Sequence, residues 1–302
     1  MTVEATHLLV GHHSHVGRVR ERNEDSYLVL TPPAVSAPID ALLLVADGVG
    51  GANAGDVASG KLVEALWSWF ANNSYGEQVD FDAEHPDYLM VVLKDLLELI
   101  NAHLFTLSQT QPAWQNMGTT ATVGILSNGR FFTAHAGDTR AYLLRQGSLS
   151  QLTADHSWVA EEVAAGRLTA EEAKKHPRRN VIMRVLGNSL LFHADRDVHS
   201  LQAEDVLILT SDGLTGFVSD EEIRHSFLTH NYPQQACDKL VSLANQRGGG
   251  DNITILAMRL YPAGGGFAPS NLPHGVAVSS AHLGYPVLPT PPDPDPISDV
   301  ET

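Results

Sequence analysis

Two short turn signals constrain the fold of this chain more than any other feature. Asn128-Gly129 separates the apolar runs at 120–126 and 130–136, and Gln146-Gly147 separates 141–145 from 148–152. A two-residue loop needs left-handed backbone at its centre, and Asn and Gly adopt it at low cost. Such a loop joins strands that run antiparallel, so the chain is not a purely parallel βαβ fold. Further strand-like runs lie at 25–30, 41–46, 140–145, 206–210 and 253–260. Helices announce themselves by a different period. Val63, Leu66, Trp67 and Phe70 follow the i, i+3, i+4, i+7 spacing, and Leu89, Val92, Leu93, Leu96, Leu97, Ile100 and Leu104 sustain it over four turns. A third helix is expected near 235–246. The expectation is an α+β fold of antiparallel sheets covered by helices.

Composition narrows the possible functions. Among 302 residues, 19 Lys plus Arg stand against 35 Asp plus Glu, a net charge of −16. Electrostatic capture of nucleic acid or anionic lipid needs a basic surface, so both are excluded as partners. The single cysteine, Cys237, excludes an intramolecular disulfide framework. The 15 His leave a His/carboxylate metal site open. No apolar run approaches the ~18–20 residues of a membrane span. The N-terminus has no basic segment followed by an apolar one, so the expected location is the cytoplasm, with Cys237 reduced. Residues 262–302 differ from the rest: they hold 9 of the 16 prolines and no Lys or Arg. Such a segment cannot build a packed core and reads as a Pro/Gly-rich, acidic, flexible tail behind a folded domain at 1–261.

One chemical pattern recurs three times. The strand Leu42-Leu43-Leu44-Val45-Ala46 runs into Asp47-Gly48, and Val206-Leu207-Ile208-Leu209-Thr210-Ser211 runs into Asp212-Gly213. Asp251-Asn252 precedes the strand Ile253-Thr254-Ile255-Leu256. Glu24-Asp25, just before the first strand, and Asp138 in Gly137-Asp138-Thr139-Arg140 extend the set. A lone Asp-Gly after a strand is usually a turn. Several such sites suggest hard-cation chemistry, because carboxylate and carbonyl oxygens are the ligands of Mg²⁺ or Mn²⁺, and close carboxylates need a counter-charge. Spacing alone does not show whether they converge.

The same residues carry a family resemblance. Arg20-Glu21-Arg22-Asn23-Glu24-Asp25, Asp47-Gly48-Val49-Gly50-Gly51, Gly118-Thr119-Thr120, Gly137-Asp138-Thr139-Arg140, Leu152-Thr153-Ala154-Asp155-His156-Ser157, Arg184-Val185-Leu186-Gly187, Ser211-Asp212-Gly213-Leu214 and Asp251-Asn252-Ile253-Thr254 stand in family order. With these motifs the chain resembles the PPM family, the metal-dependent type 2C Ser/Thr protein phosphatases, in its bacterial branch. The resemblance implies a central sandwich of two antiparallel β-sheets flanked by helices. It implies two tightly bound Mn²⁺ or Mg²⁺ ions, bridged by Asp47. Asp212 and Asp251 would complete the first metal site. The Gly48 carbonyl and the Glu24–Asp25 pair would serve the second, with Glu24 the direct ligand. Asp138 with Asp212 would hold a third, weaker ion, and Arg20 the substrate phosphate. The substrates implied are phosphoserine and phosphothreonine in proteins, and the counterpart a Ser/Thr kinase.

Elementary chemistry agrees with these roles. Divalent cations reverse the field that a phosphate dianion meets among carboxylates, and they lower the pKa of water. The planar fork of Arg20 suits two phosphate oxygens. Some members of the family carry His after Asp-Gly as a general acid. Val49 stands there in this chain, so the proton donor is left unassigned, with a water at the weaker third site as one candidate. Residues 158–180 read as two short helices, 159–165 and 169–174, broken at Gly166, and the resemblance makes them a flap beside the site. Its run Lys174-Lys175-His176-Pro177-Arg178-Arg179 is the strongest basic cluster in the chain, suited equally to contacting acidic or phosphorylated substrate segments and to serving as a solvated hinge of the flap. Two competing readings are a non-catalytic pseudophosphatase of the same fold and a hydrolase of a small phosphomonoester. The presence of Asp47, Asp212, Asp251 and Arg20 speaks against the first, and the flap against the second.

Overall fold

The period of two along the strands sorts the core into layers. In β2 (Asp25–Leu30) and β3 (Ala41–Val49), Leu28, Leu30, Leu42 and Leu44 point into one apolar cluster, while Tyr27, Val29, Leu43 and Val45 point into another. The first cluster packs against α1 (Gly55–Ala71) and α2 (Tyr88–Thr110), through residues such as Leu62, Leu66, Phe70, Leu93 and Leu97. The second lies between two sheets. Both faces of these strands are therefore covered, which is why they read as continuous apolar runs rather than as alternating ones. Each Leu or Val so buried contributes about 1.5–3 kcal/mol against the entropy of ordering the chain. The computed structural model describes residues 7–50, 54–71, 88–261 and 276–279.

One sheet has the order β1 (His7–His15), β11 (Ile253–Tyr261), β10 (Val206–Thr210), β7 (Arg140–Arg145), β8 (Ser148–Gln151). The other has the order β12 (Val276–Ser279), β2, β3, β5 (Ala121–Ser127), β6 (Arg130–Ala136), β9 (Asp195–Ser200), with β4 (Gly118–Thr119) paired to the end of β3. All pairings between named strands are antiparallel. The far face of the first sheet carries α6 (Asp220–Thr229) and α7 (Pro233–Gln246), with Phe227, Ala236, Leu240 and Val241 against Tyr142, Ile208 and Ile255. The order helix, sheet, sheet, helix is the expected α+β sandwich.

Both hairpins form as expected. Asn128 (φ 49°) and Gly129 (φ 70°) turn β5 into β6, and Gln146 (φ 49°) and Gly147 (φ 80°) turn β7 into β8. The flap also forms: α3 (Trp158–Ala164) and α4 (Ala170–Lys175) flank Gly166 at φ 70°, and Thr169 caps α4 with Glu172 in a reciprocal box.

Several elements among the described residues lack the expected signals. β1 is an edge strand in which only Leu9 and Gly11 are buried, so its four histidines hide the alternation. β9 is an edge strand of charged, largely exposed residues. Helix α6 begins at a Ser219/Glu222 capping box, but its polar surface masks the period. Val276–Ser279, inside the segment expected to be a flexible tail, pairs with β2; the remainder of 262–302 lies outside the described residues. Among the described residues, no helix is long and apolar enough to cross a membrane.

Candidate metal centre

Register answers the question of convergence. Thr210 of β10 lies opposite both Arg140 of β7 and Ile255 of β11. Asp212 just after β10, at the start of the short helix α5 (Asp212–Thr215), Asp138 just before β7 and Asp251 just before β11 are thereby brought to one end of one sheet. In the other sheet Asp25 and Asp47 are cross-strand partners. The sheets bring these two ends together: the Ser211 hydroxyl donates to Asp25 Oδ2 at 2.7 Å.

Local backbone packing holds each carboxylate in place. The Asp47 N–H donates to Thr120 Oγ1 at 2.9 Å, and its carbonyl accepts from the Thr120 N–H at 2.9 Å. The Gly48 N–H donates to the Glu24 carbonyl at 3.1 Å. A Cβ on Gly48 would collide with the Gly55 carbonyl, which is the physical reason for Gly after Asp47. Arg20 Nη2 donates to Asp251 Oδ2 at 2.8 Å from an exposed position, so the guanidinium stands at the rim of the carboxylates.

The electrostatics are those of a site crowded with negative charge. Burial pushes Asp25 up to about 7, with Asp212 and Asp251 adding to it and hydrogen bonds from Thr254 and Ser211 opposing it. Burial and then Asp212 push Asp138 up to about 8. Burial and then Asp251 push Asp212 up to about 6, and it shares a hydrogen bond with Asp47. Asp47 is raised well above the ordinary range by burial and by Asp25, Asp212, Asp138 and Asp251 together. Burial and then Asp56 raise Glu24, opposed by Arg20. Every carboxylate singled out in the sequence thus belongs to one mutually repelling group. Among the described residues, no three His, Cys, Asp or Glu side chains already stand in a ligating cluster. The fit to cations rests on the donor set and on two buried oxygens that have no hydrogen-bond partner among the described residues, Asp25 Oδ1 and Asp138 Oδ1. An all-oxygen set of this kind suits a hard divalent ion.

Residues 13–243 match the family profile described as Protein phosphatase 2C. The chain belongs to that family. The serine/threonine phosphatase stp of Listeria monocytogenes serotype 4b is 33% identical over 243 residues, covering 80% of this chain and 91% of its own. Protein phosphatase PhpP of Streptococcus pneumoniae serotype 2 is 35% identical over 242 residues, covering 80% and 92%. The solved serine/threonine phosphatase of S. agalactiae has a TM-score of 0.75 at 31% identity, covering 84% of this chain and 99% of that one. The catalytic domain of the phosphatase PstP in complex with two manganese ions has a TM-score of 0.69 at 32% identity, covering 85% and 100%. Asp251 lies past the end of the profile match, so its place in this protein phosphatase 2C fold rests on the β10–β11 register.

Three side chains of the site escaped the sequence reading as functional positions. Ser211 bonds Asp25, and its motif placement beside Asp212 was the available signal. Asp56, in the first turn of α1, acts on Glu24 and lies 3.9 Å from Arg22; the glycines around it read only as a loop. Asn252 is the third. Its Nδ2 donates to the carbonyls of Val16 at 2.9 Å and Arg22 at 2.8 Å, and its Oδ1 accepts from the Glu24 N–H at 2.8 Å. One buried amide therefore shapes the loop that carries Arg20 and Glu24. Asn252→Ala is expected to cost about 1–3 kcal/mol, because it leaves three part-buried backbone groups without their partner. Urea denaturation checks this; a loss under about 1 kcal/mol would mean the loop holds itself.

In the flap's basic cluster, Lys174 pairs with Glu171 at 2.9 Å, and Arg178 lies 5.1 Å over the Trp158 ring. Part of its charge is thus engaged within the flap.

Proposed function

We propose that this protein hydrolyses phosphoserine and phosphothreonine in proteins, with water activated between two divalent cations, Mn²⁺ or Mg²⁺. The observation that carries the reading is the gathering of Asp25, Asp47, Asp138, Asp212 and Asp251 at one end of two sheets, with Arg20 at the rim. Asp47 would bridge the two ions. Asp212 and Asp251 would complete the first, and the Gly48 carbonyl and Glu24, backed by Asp25, the second. Asp138 with Asp212 would hold a third, weaker one. Bound there, the cations supply a water of lowered pKa and offset the charge of the entering phosphate.

The chain's own groups do the rest. Among the described residues Arg20 uses one N–H on Asp251, and the other donors of its fork would suit phosphate oxygens. Asp251 thereby aims the guanidinium as well as serving the ions. Val49 has no proton to give, so no side chain at that position protonates the leaving alkoxide. The exposed Lys175 and Arg179 of the flap suit acidic or phosphorylated peptide, which favours protein substrates over a small phosphomonoester. The retained carboxylates and Arg20 favour catalysis over a pseudophosphatase. The same reading gives a Ser/Thr kinase as counterpart, the cytoplasm as compartment, 1–261 as the phosphatase domain and 262–302 as its acidic tail, from which Val276–Ser279 adds an edge strand to the domain's sheet.

A phosphothreonine peptide incubated with the purified protein is expected to release phosphate with Mn²⁺ or Mg²⁺, to stop doing so in EDTA, and to resume with excess metal. Undiminished activity in metal-stripped protein would refute the mechanism. Peptide binding without hydrolysis would favour the pseudophosphatase.

A further inference from the structure

The flap is joined to the carboxylate cluster through one buried imidazole. The two ends of the flap are stitched together by the bridge between Ser157 and Ile182, by the Trp158 N–H donating to the Val181 carbonyl at 2.8 Å, and by the Met183 N–H donating to the His156 carbonyl at 2.7 Å. His156 is also clamped twice to Gly137, the residue before Asp138. Its N–H donates to the Gly137 carbonyl at 2.7 Å, and its Nδ1 accepts from the Gly137 N–H at 3.2 Å. An Nδ1 that accepts leaves the ring proton on Nε2, which donates to Asp195 Oδ2 at 3.0 Å. Arg184 Nη1 donates to the other oxygen of Asp195 at 2.7 Å and lies 3.3 Å from Nε2, so β9 and the exit of the flap meet at the ring. His135 packs against the ring at 4.8 Å, and burial keeps it neutral by pushing it down to about 4.

Gly137 is confined on its other side as well. Its φ is +115°, and a Cβ there would meet the Thr120 side chain at 2.5 Å. Thr120 is the residue that bonds both backbone groups of Asp47. The turn before Asp138 is therefore wedged between Thr120 and His156, and only the second of these belongs to the flap.

We propose that His156 is a positioning residue: through Gly137 it sets Asp138 against Asp212 and so couples the flap to the weakest of the cation sites. The inference rests on the reading of Asp138 as a cation ligand given above. Partners that orient a ligand typically change metal affinity by about 10–100-fold when lost.

Calorimetric titration of the metal-free protein with Mn²⁺ tests it without any assay of activity. Asp138→Asn identifies the step that depends on Asp138. His156→Gln retains a polar atom near Nε2 for Asp195 but nothing at Nδ1 for Gly137, and is expected to weaken that step by about tenfold. His156→Asn places an acceptor where Nδ1 was, and is expected to stay within about threefold of the wild type. A merely structural role would lower the melting temperature of both variants and leave the step where it was. Should His156→Gln not fold, Asp195→Ala at the exposed edge carries the test, because losing that carboxylate frees the ring to change tautomer; a shift of about threefold is expected. If the wild type shows no step that Asp138→Asn removes, the underlying reading of Asp138 fails. If the step is present and both His156→Gln and Asp195→Ala leave it unchanged, the role of His156 is overturned and that reading stands.

Discussion

Asp212→Asn is expected to lower kcat by at least about 10³-fold, equivalent to about 4 kcal/mol of lost transition-state stabilisation, and Asp47→Asn to do the same. Both carboxyls belong to the group whose members raise one another, and the two share a hydrogen bond. On the proposed function, each carboxylate would hold a cation through its charge, which the isosteric amide lacks. The amide also removes one source of repulsion, so the variants are expected to melt at the same temperature as the wild type in EDTA, or above it. The wild type is expected to gain stability on adding Mn²⁺, by mass action, more than either variant does. Phosphopeptide kinetics and melting curves with and without Mn²⁺ check both halves. A kcat within tenfold of the wild type would remove the residue from the site, and a lower melting point in EDTA would show that its role is structural.

Gly213→Ala should be the most damaging single methyl in the described part of the molecule. A Cβ on Gly213 would fall onto the carbonyl oxygen of Asn252, which is backbone and held at the start of β11. Room can be made only by moving the 251–252 segment. That movement takes with it the Asp251–Arg20 ion pair and the three hydrogen bonds of Asn252. The expected loss is about 3–5 kcal/mol in urea denaturation, the range of overpacking combined with broken polar contacts, together with weakened Mn²⁺ binding. Gly60→Ala is the control. Nothing lies within 4 Å of a Cβ built there, and the residue is inside α1, so it is expected to be neutral or to stabilise by about 0.5–1 kcal/mol. Equal effects at the two glycines would mean that the contact with Asn252 is relieved cheaply.

The legible parts of the fold were those whose residues repeat a local period. β5 and β6 announce themselves by apolar runs either side of Asn128-Gly129, and α2 by seven apolar residues on one face. β1 and β9 lie at sheet edges, where burial no longer imposes a pattern on the side chains, so their sequences carry little sign of a strand. Within the site, every carboxylate chosen from the sequence falls in the cluster. Asn252 and Ser211 went unassigned because their work is to bond backbone or carboxylate groups brought near by pairing, and nothing in their local sequence states which groups those are.

The sequence alone determined which chemistry is available: carboxylates beside glycine at strand ends, one arginine four residues before Glu24, and an excess of acid that cations would offset where phosphate enters. Only the tertiary structure decided that these groups meet. Three of the carboxylates share an end because β10 pairs with both β7 and β11 in a particular register, and the other two join them because the sheets pack face to face. Register is a long-range property, set by which apolar faces are buried together. Together with the packing of the two sheets it turns five separate turn-like acids into one mutually repelling group that calls for metal.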